Sequence, residues 1–71
     1  MTLADLPLGG RAIVQSVEGD ELACVHLMEA GFTPGQAVRL VARSPLGCPI
    51  AVAVRGAVIA LRREEAACIL V

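Results

Sequence analysis

The chain has 71 residues, a formal net charge of −1, 56% hydrophobic and 18% charged residues. That size fits one domain over residues 1–71 and excludes a two-domain enzyme, while the apolar content excludes a disordered chain. Six arginines, no lysine and a single aromatic residue, Phe32, argue against a dedicated nucleic-acid binder, because they supply neither a cationic excess nor a base-stacking platform.

In chain order, Leu3-Ala-Asp-Leu6 reads as a short entry segment and Pro7-Leu-Gly-Gly10 as a turn. Arg11 to Val17 is predicted as the first strand, with Ile13 and Val17 on one face, ended by Glu18-Gly19. Asp20 is a helix N-cap for Glu21 to Ala30, and Gly31 suits the left-handed position just past the helix. At about 100° per residue, Ala23, Cys24, Leu27 and Ala30 share one stripe of that helix. Leu22, Val25 and Glu29 fall opposite, with His26 and Met28 on the flanks. Pro34 and Gly35 form the next turn. Gln36 to Arg43 alternates, with Val38, Leu40 and Ala42 one way and Arg39, Val41 and Arg43 the other. A loop follows, punctuated by Pro45, Gly47 and Pro49. Ile50 to Val54 and Ala57 to Arg63 are two strands joined at Arg55-Gly56, with Ile59 and Leu61 inward. Glu64 to Ala67 is a helical turn, and Cys68 to Val71 a closing strand. The expected fold is mainly β with one helix: a small barrel of about five strands, the helix inserted after the first. No apolar run approaches the roughly 18 residues that cross a bilayer, and residues 1–10 lack the features of a signal peptide, so direct membrane insertion is not expected.

Side-chain chemistry points away from catalysis. The lone histidine, His26, has no serine and acid at triad-like spacing, and no lysine or phosphate-binding glycine pattern is present. The protein is expected not to be an enzyme. Cys24, Cys48 and Cys68 form no C-x-x-C pair, which argues against a zinc ribbon or a disulfide framework and for a reducing, cytoplasmic compartment. His26, Glu29 and Cys48, with Glu21 and Cys24, are the candidate metal ligands. His26 and Glu29 stand i,i+3 on the helix, two ligands where a stable transition-metal site wants three or four. The bland alternative is a helix-flank histidine beside a solvated carboxylate, so no cofactor is required and any transition-metal binding is weak. The helix is apolar on more of its surface than one core contact needs. Leu22, Val25 and Met28, with His26 and Glu29 beside them, are therefore candidates for a partner contact, against the alternative of packing under a loop. Arg39 and Arg43, expected on one strand face, are the next candidate surface.

Four segments together resemble the FeoA family of bacterial ferrous iron transport. His26-Leu-Met-Glu-Ala-Gly-Phe-Thr-Pro-Gly35 is similar to the family's leucine-bearing helix end followed by Gly, an apolar residue and Pro-Gly. Ser44-Pro-Leu-Gly-Cys-Pro-Ile50 resembles its "APLGDPI" loop, and Ile59-Ala-Leu-Arg-Arg-Glu-Glu-Ala66 its "LALRKxEA" segment. Leu3-Ala-Asp-Leu-Pro-Leu-Gly9 is similar to its opening "LxxLxxG". The resemblance covers nearly the whole chain in order. It implies an SH3-like barrel, and a cytosolic accessory role exerted by contact with the cytoplasmic GTP-binding part of FeoB, the membrane Fe(II) transporter. The alternative it carries is a metal-binding or metal-sensing domain like the C-terminal domain of iron-dependent repressors. Two departures stand out. Val25-His26 replaces basic residues before the helix leucine, and Cys48 stands where the family's loop has Asp, a better hydrogen-bond acceptor.

Overall fold

Two short strands, not one, follow the N-terminal turn. The computed structural model describes residues 1–71, and in it Arg11–Ile13 (β1) and Ser16–Val17 (β2) belong to different sheets. The predicted single strand Arg11 to Val17 is broken at Val14 and Gln15. The Val14 N–H donates to Gln36 O at 2.9 Å, and the Gln15 N–H to Leu70 O at 2.7 Å, so successive residues take partners on opposite sides of the molecule. The break also resets the alternation: Val14 is buried, whereas Ile13 is 48% exposed instead of facing the core with Val17.

Helix α1 (Glu21–Ala30) follows, then β3 (Ala37–Arg43), β4 (Ile50–Val54), β5 (Ala57–Leu61), the short helix α2 (Arg63–Ala66) and β6 (Ile69–Leu70). Strands β1, β3, β4 and β5 make one antiparallel sheet in the order β1-β3-β4-β5, and β2 pairs with β6 in a second. The expected helical turn begins one residue earlier than Glu64, at Arg63. The two chain ends meet: Thr2 bridges Leu70, and the Val71 N–H donates to Met1 O at 3.0 Å. Between the sheets lies one core of 13 buried apolar residues, with Phe32, Leu3, Leu40 and Ile69 the largest fully buried side chains. Five residues of the predicted pattern supply much of it: Val38 and Leu40 from β3, Ile50, Val52 and Val54 from β4.

One irregularity in β3 redirects its charged side chains. Leu40 pairs with Val52, but the next pair is Ala42 with Ala51, leaving Val41 as an extra, unpaired residue in the strand. Such a bulge inverts the inside–outside phase beyond it. Ala42, expected inward, is exposed, and Val41 is half-buried. Residues opposite one another in an antiparallel pair share a face. Arg39 lies opposite the outward Ala53, and Arg43 opposite the buried Ile50. The two arginines expected on one face therefore leave the strand on opposite faces. Arg43 instead reaches the rim of the core, where its Nη2 donates to Leu6 O at 2.7 Å and ties the end of β3 to the N-terminal segment.

The hairpin between β4 and β5 turns on Arg55 and Gly56, with φ of 52° and 79°. Two successive positive φ values match the twist of the flanking strands, the reason a two-residue connection works there. At the N-terminus, Asp5 accepts from the Thr2 N–H at 2.9 Å and from its hydroxyl at 3.2 Å. The Thr2 backbone and side-chain hydrogen bonds hold the Asp5 carboxyl below its ordinary pKa.

Candidate functional site

The rotation of α1 is set from its two ends. Asp20 Oδ1 accepts the Ala23 N–H at 2.8 Å, satisfying a donor that the first helical turn leaves unpaired, and Glu21 adds favourable charge beside it. At the other end, Gly31 adopts φ 119°. Its N–H donates to Met28 O at 3.1 Å, while the Phe32 N–H reaches back to Leu27 O at 3.1 Å. This pair of crossed bonds is a Schellman closure, and the apolar residue that follows it, Phe32, is fully buried beside Leu27 in the core.

With both ends fixed, the stripe Ala23, Cys24, Leu27 and Ala30 faces inward. Leu27 is buried, the other three are half-buried, and the Cys24 thiol points at Val17 O, 3.6 Å away. The opposite side is left in solvent: Leu22 is 83% exposed, Val25 48% and Met28 42%. Leu22, Val25, His26, Glu29 and Ala30 line a shallow depression of about 380 Å³ on this side. The predicted partner residues are thus gathered on one exposed helix face. Covering them is favourable by roughly 1.5–3 kcal/mol for each large apolar side chain fully removed from water.

The candidate metal ligands are divided. His26 and Glu29 share the helix depression, but Cys48 is exposed in the β3–β4 loop, and its Sγ accepts the Arg63 N–H at 3.4 Å. No three His, Cys, Asp or Glu residues come together in the structure. Cys48 takes the acceptor place at the start of α2, at the longer distance that sulfur allows. Within this loop the Gly47 N–H closes on Ser44 O at 2.8 Å and Gly47 has φ 82°; Pro45 precedes this closure, and the Cys48–Pro49 peptide beyond it is cis. The guanidinium of Arg63 lies against Gly47 where a Cβ would stand. Pro34 and Gly35 make the turn into β3, closed by the Gln36 N–H on Thr33 O at 3.0 Å.

A second surface is not visible in the periodicity of the chain. A depression of about 530 Å³ lies over β1, the start of β3 and the β4–β5 turn, rimmed by Arg11, Arg39 and Arg55. Its composition depends on strand register, which brings Arg11 opposite Arg39.

The profile of the FeoA domain family matches residues 1–71. The Fe(2+) transport protein A/Fe(2+) transporter FeoB fusion protein of Porphyromonas gingivalis is 34% identical over 67 residues, which is 94% of this chain and 8% of that protein. Among solved structures, FeoA of Stenotrophomonas maltophilia, described as a zinc complex and as an SH3 domain protein, superposes with a TM-score of 0.86 at 39% identity, covering 99% of this chain and 87% of that one. FeoA of Chlorobium tepidum gives a TM-score of 0.90 at 36% identity, covering 99% and 67%. The fold is therefore the SH3-like one that these proteins share.

Proposed function

The chain belongs to the FeoA family, and from that premise we propose that it is a non-enzymatic accessory of ferrous iron transport, acting by contact between the outward face of α1 and the cytoplasmic part of a FeoB-type membrane transporter. The observation that carries the reading is the helix itself. One short helix against one small core buries a single stripe, and Leu22, Val25 and Met28 remain outside it. A contiguous apolar surface on a small charged protein is the usual mark of a docking face.

The P. gingivalis relative adds support, since it carries transport protein A and the transporter in one polypeptide. Covalent linkage raises the effective concentration of one part near the other, which has value only where the two meet. The match with this chain spans 8% of that relative's length. Fe(II) is the transporter's cargo and no step requires the accessory to hold it. His26 and Glu29, polar groups bordering the apolar patch, give the contact its orientation through hydrogen bonds at its rim.

The test is Val25→Asp. The inward stripe is untouched, so the variant should keep its stability to within about 1 kcal/mol, read from its melting temperature. A carboxylate forced into an apolar contact costs about 3 kcal/mol, roughly a hundredfold in Kd for the purified cytoplasmic domain of the transporter. Fe(II) uptake in cells should fall with it. Should Val25→Asp fail to fold, Leu22→Asp, at a position 83% exposed, gives the same reading. A folded variant with unchanged affinity and uptake would overturn the helix as the contact.

A further inference from the structure

The outer surface of the four-stranded sheet carries a charge arrangement that the fold does not need. Arg11 and Arg39 lie directly opposite one another on neighbouring strands. Directly opposed like charges in an antiparallel pair are destabilising. The residue beyond Arg39, across the next strand pair, is Ala53, so no carboxylate sits in the row to offset them. Arg55 is a third arginine in the lining of the same depression. Its backbone is held at φ 52° by the β4–β5 turn, and its stem packs over the end of α1, with Cδ 3.1 Å from where a Gly31 Cβ would be.

Half of the chain's six arginines therefore surround one shallow depression, and none of its lining residues is acidic. The floor between them is aliphatic, with Ile13 48% exposed and Ala37 and Ala53 along the neighbouring strands. Three forked donors over small apolar residues match carboxylates presented at alternate positions of an extended chain, with aliphatic side chains between. The floor has no ring to stack on a base, which disfavours a nucleotide.

We infer that this depression, rimmed by Arg11, Arg39 and Arg55, is a second docking site that takes an acidic, extended segment of the partner protein. The identity of that protein rests on the transporter reading above, whereas the chemistry of the site does not. Arginine serves this purpose better than lysine because its planar fork grips a carboxylate with two parallel hydrogen bonds.

A synthetic Glu-Leu-Glu-Leu-Glu-Leu peptide, titrated into the isotope-labelled protein and followed by amide chemical shifts, tests the site without the transporter. Saturable shifts are expected at Ile13, Ala37 and Ala53, with affinity falling about tenfold between low salt and about 0.15 M ionic strength. The Gln-Leu counterpart should leave these signals in place. Arg39→Glu should weaken peptide binding at least tenfold while raising the melting temperature, since a carboxylate then faces Arg11. That opposite movement of stability and binding separates a binding role from a structural one, and Arg39→Gln serves if the charge reversal does not fold. Absence of shifts, shifts confined to α1, or tighter saturation of the same residues by inorganic phosphate or GTP would each overturn the assignment. So would dilution-dependent shifts without peptide, which would mark the face as a contact between copies of this chain. With the transporter's cytoplasmic domain as ligand, Arg39→Glu should reduce the salt dependence of binding. Failure of the wild-type protein to bind that domain, with peptide binding intact, would remove the transporter reading and leave the acidic-segment site standing.

Discussion

Replacing Gly31 by alanine probes the joint on which both proposed surfaces depend. The residue has φ 119° and ψ 0°, a conformation open to glycine and strained for any residue with a Cβ. That strain costs about 1–3 kcal/mol. A new Cβ would also stand 3.1 Å from Arg55 Cδ and 3.6 Å from Val54 Cγ2, the first of which is tight but belongs to a flexible stem. A domain of this length holds about 4–10 kcal/mol in all, so the substitution removes a substantial part. At about 4–8 °C per kcal/mol for a small domain, the midpoint should fall by at least about 4 °C. Thermal melts followed by circular dichroism measure the change. Repeating the substitution in an Arg55→Ala background separates the two causes. Backbone strain predicts that most of the loss persists there, whereas steric contact predicts recovery. A melting temperature indistinguishable from wild type would refute the left-handed closure of α1, and with it the rotation that leaves Leu22, Val25 and Met28 in solvent.

Two further outcomes follow from local chemistry. A thiol reagent should label Cys48 quickly in the native protein and Cys24 and Cys68 far more slowly, since the first is exposed and the others are half-buried with their thiols on the carbonyls of Val17 and Glu64; mass spectrometry after a short pulse distinguishes them, and fast labelling of Cys68 would mean that the β2–β6 pair opens readily. Asp5 has its pKa lowered by the Thr2 backbone N–H and then by the Thr2 hydroxyl. A depressed carboxylate contributes stability above its ordinary pKa that is lost as pH falls through the lowered value. Melting temperatures between about pH 2 and 6 should therefore drop less steeply in Asp5→Asn than in wild type, the two curves converging at the acid end; parallel curves would contradict the turn.

What could be read along the chain is what single residues decide. Asp20, Gly31, Gly35 and Arg55-Gly56 mark their turns because a cap needs a short acceptor and a positive φ needs a missing or tolerated Cβ. The helix stripe was legible for the same reason: a period of about 3.6 residues assigns Leu27 to one side and Leu22 and Val25 to the other, with no knowledge of a partner strand. Features set by pairing were not legible. Nothing in Arg-Ala-Ile-Val-Gln-Ser-Val, residues 11–17, says that Gln15 turns to Leu70 while Val14 turns to Gln36. Val41 is as good a strand residue as Val38 or Val52 and carries no mark of the bulge it forms.

That bulge divides the arginines into two kinds. Without the extra residue, Arg43 would follow Arg39 onto the outer face, as simple alternation expects. With it, Arg43 turns to the core rim and donates to Leu6 O, holding the N-terminal segment against the sheet. Arg39 stays outside, and the register of β1 sets Arg11 against it. A strand irregularity that re-aims a side chain is a recurrent device beside binding sites. Here it converts one charged face into a structural tether and a separate cationic rim. The proposed partner contact then has two unlike parts, an aliphatic patch on α1 and an arginine-rimmed trough on the sheet, joined where the stem of Arg55 crosses Gly31. Burial of the first supplies affinity that salt hardly touches, and the second supplies register and salt-sensitive attraction. A change at Gly31 therefore reaches both parts, whereas changes at Val25 and Arg39 each reach one.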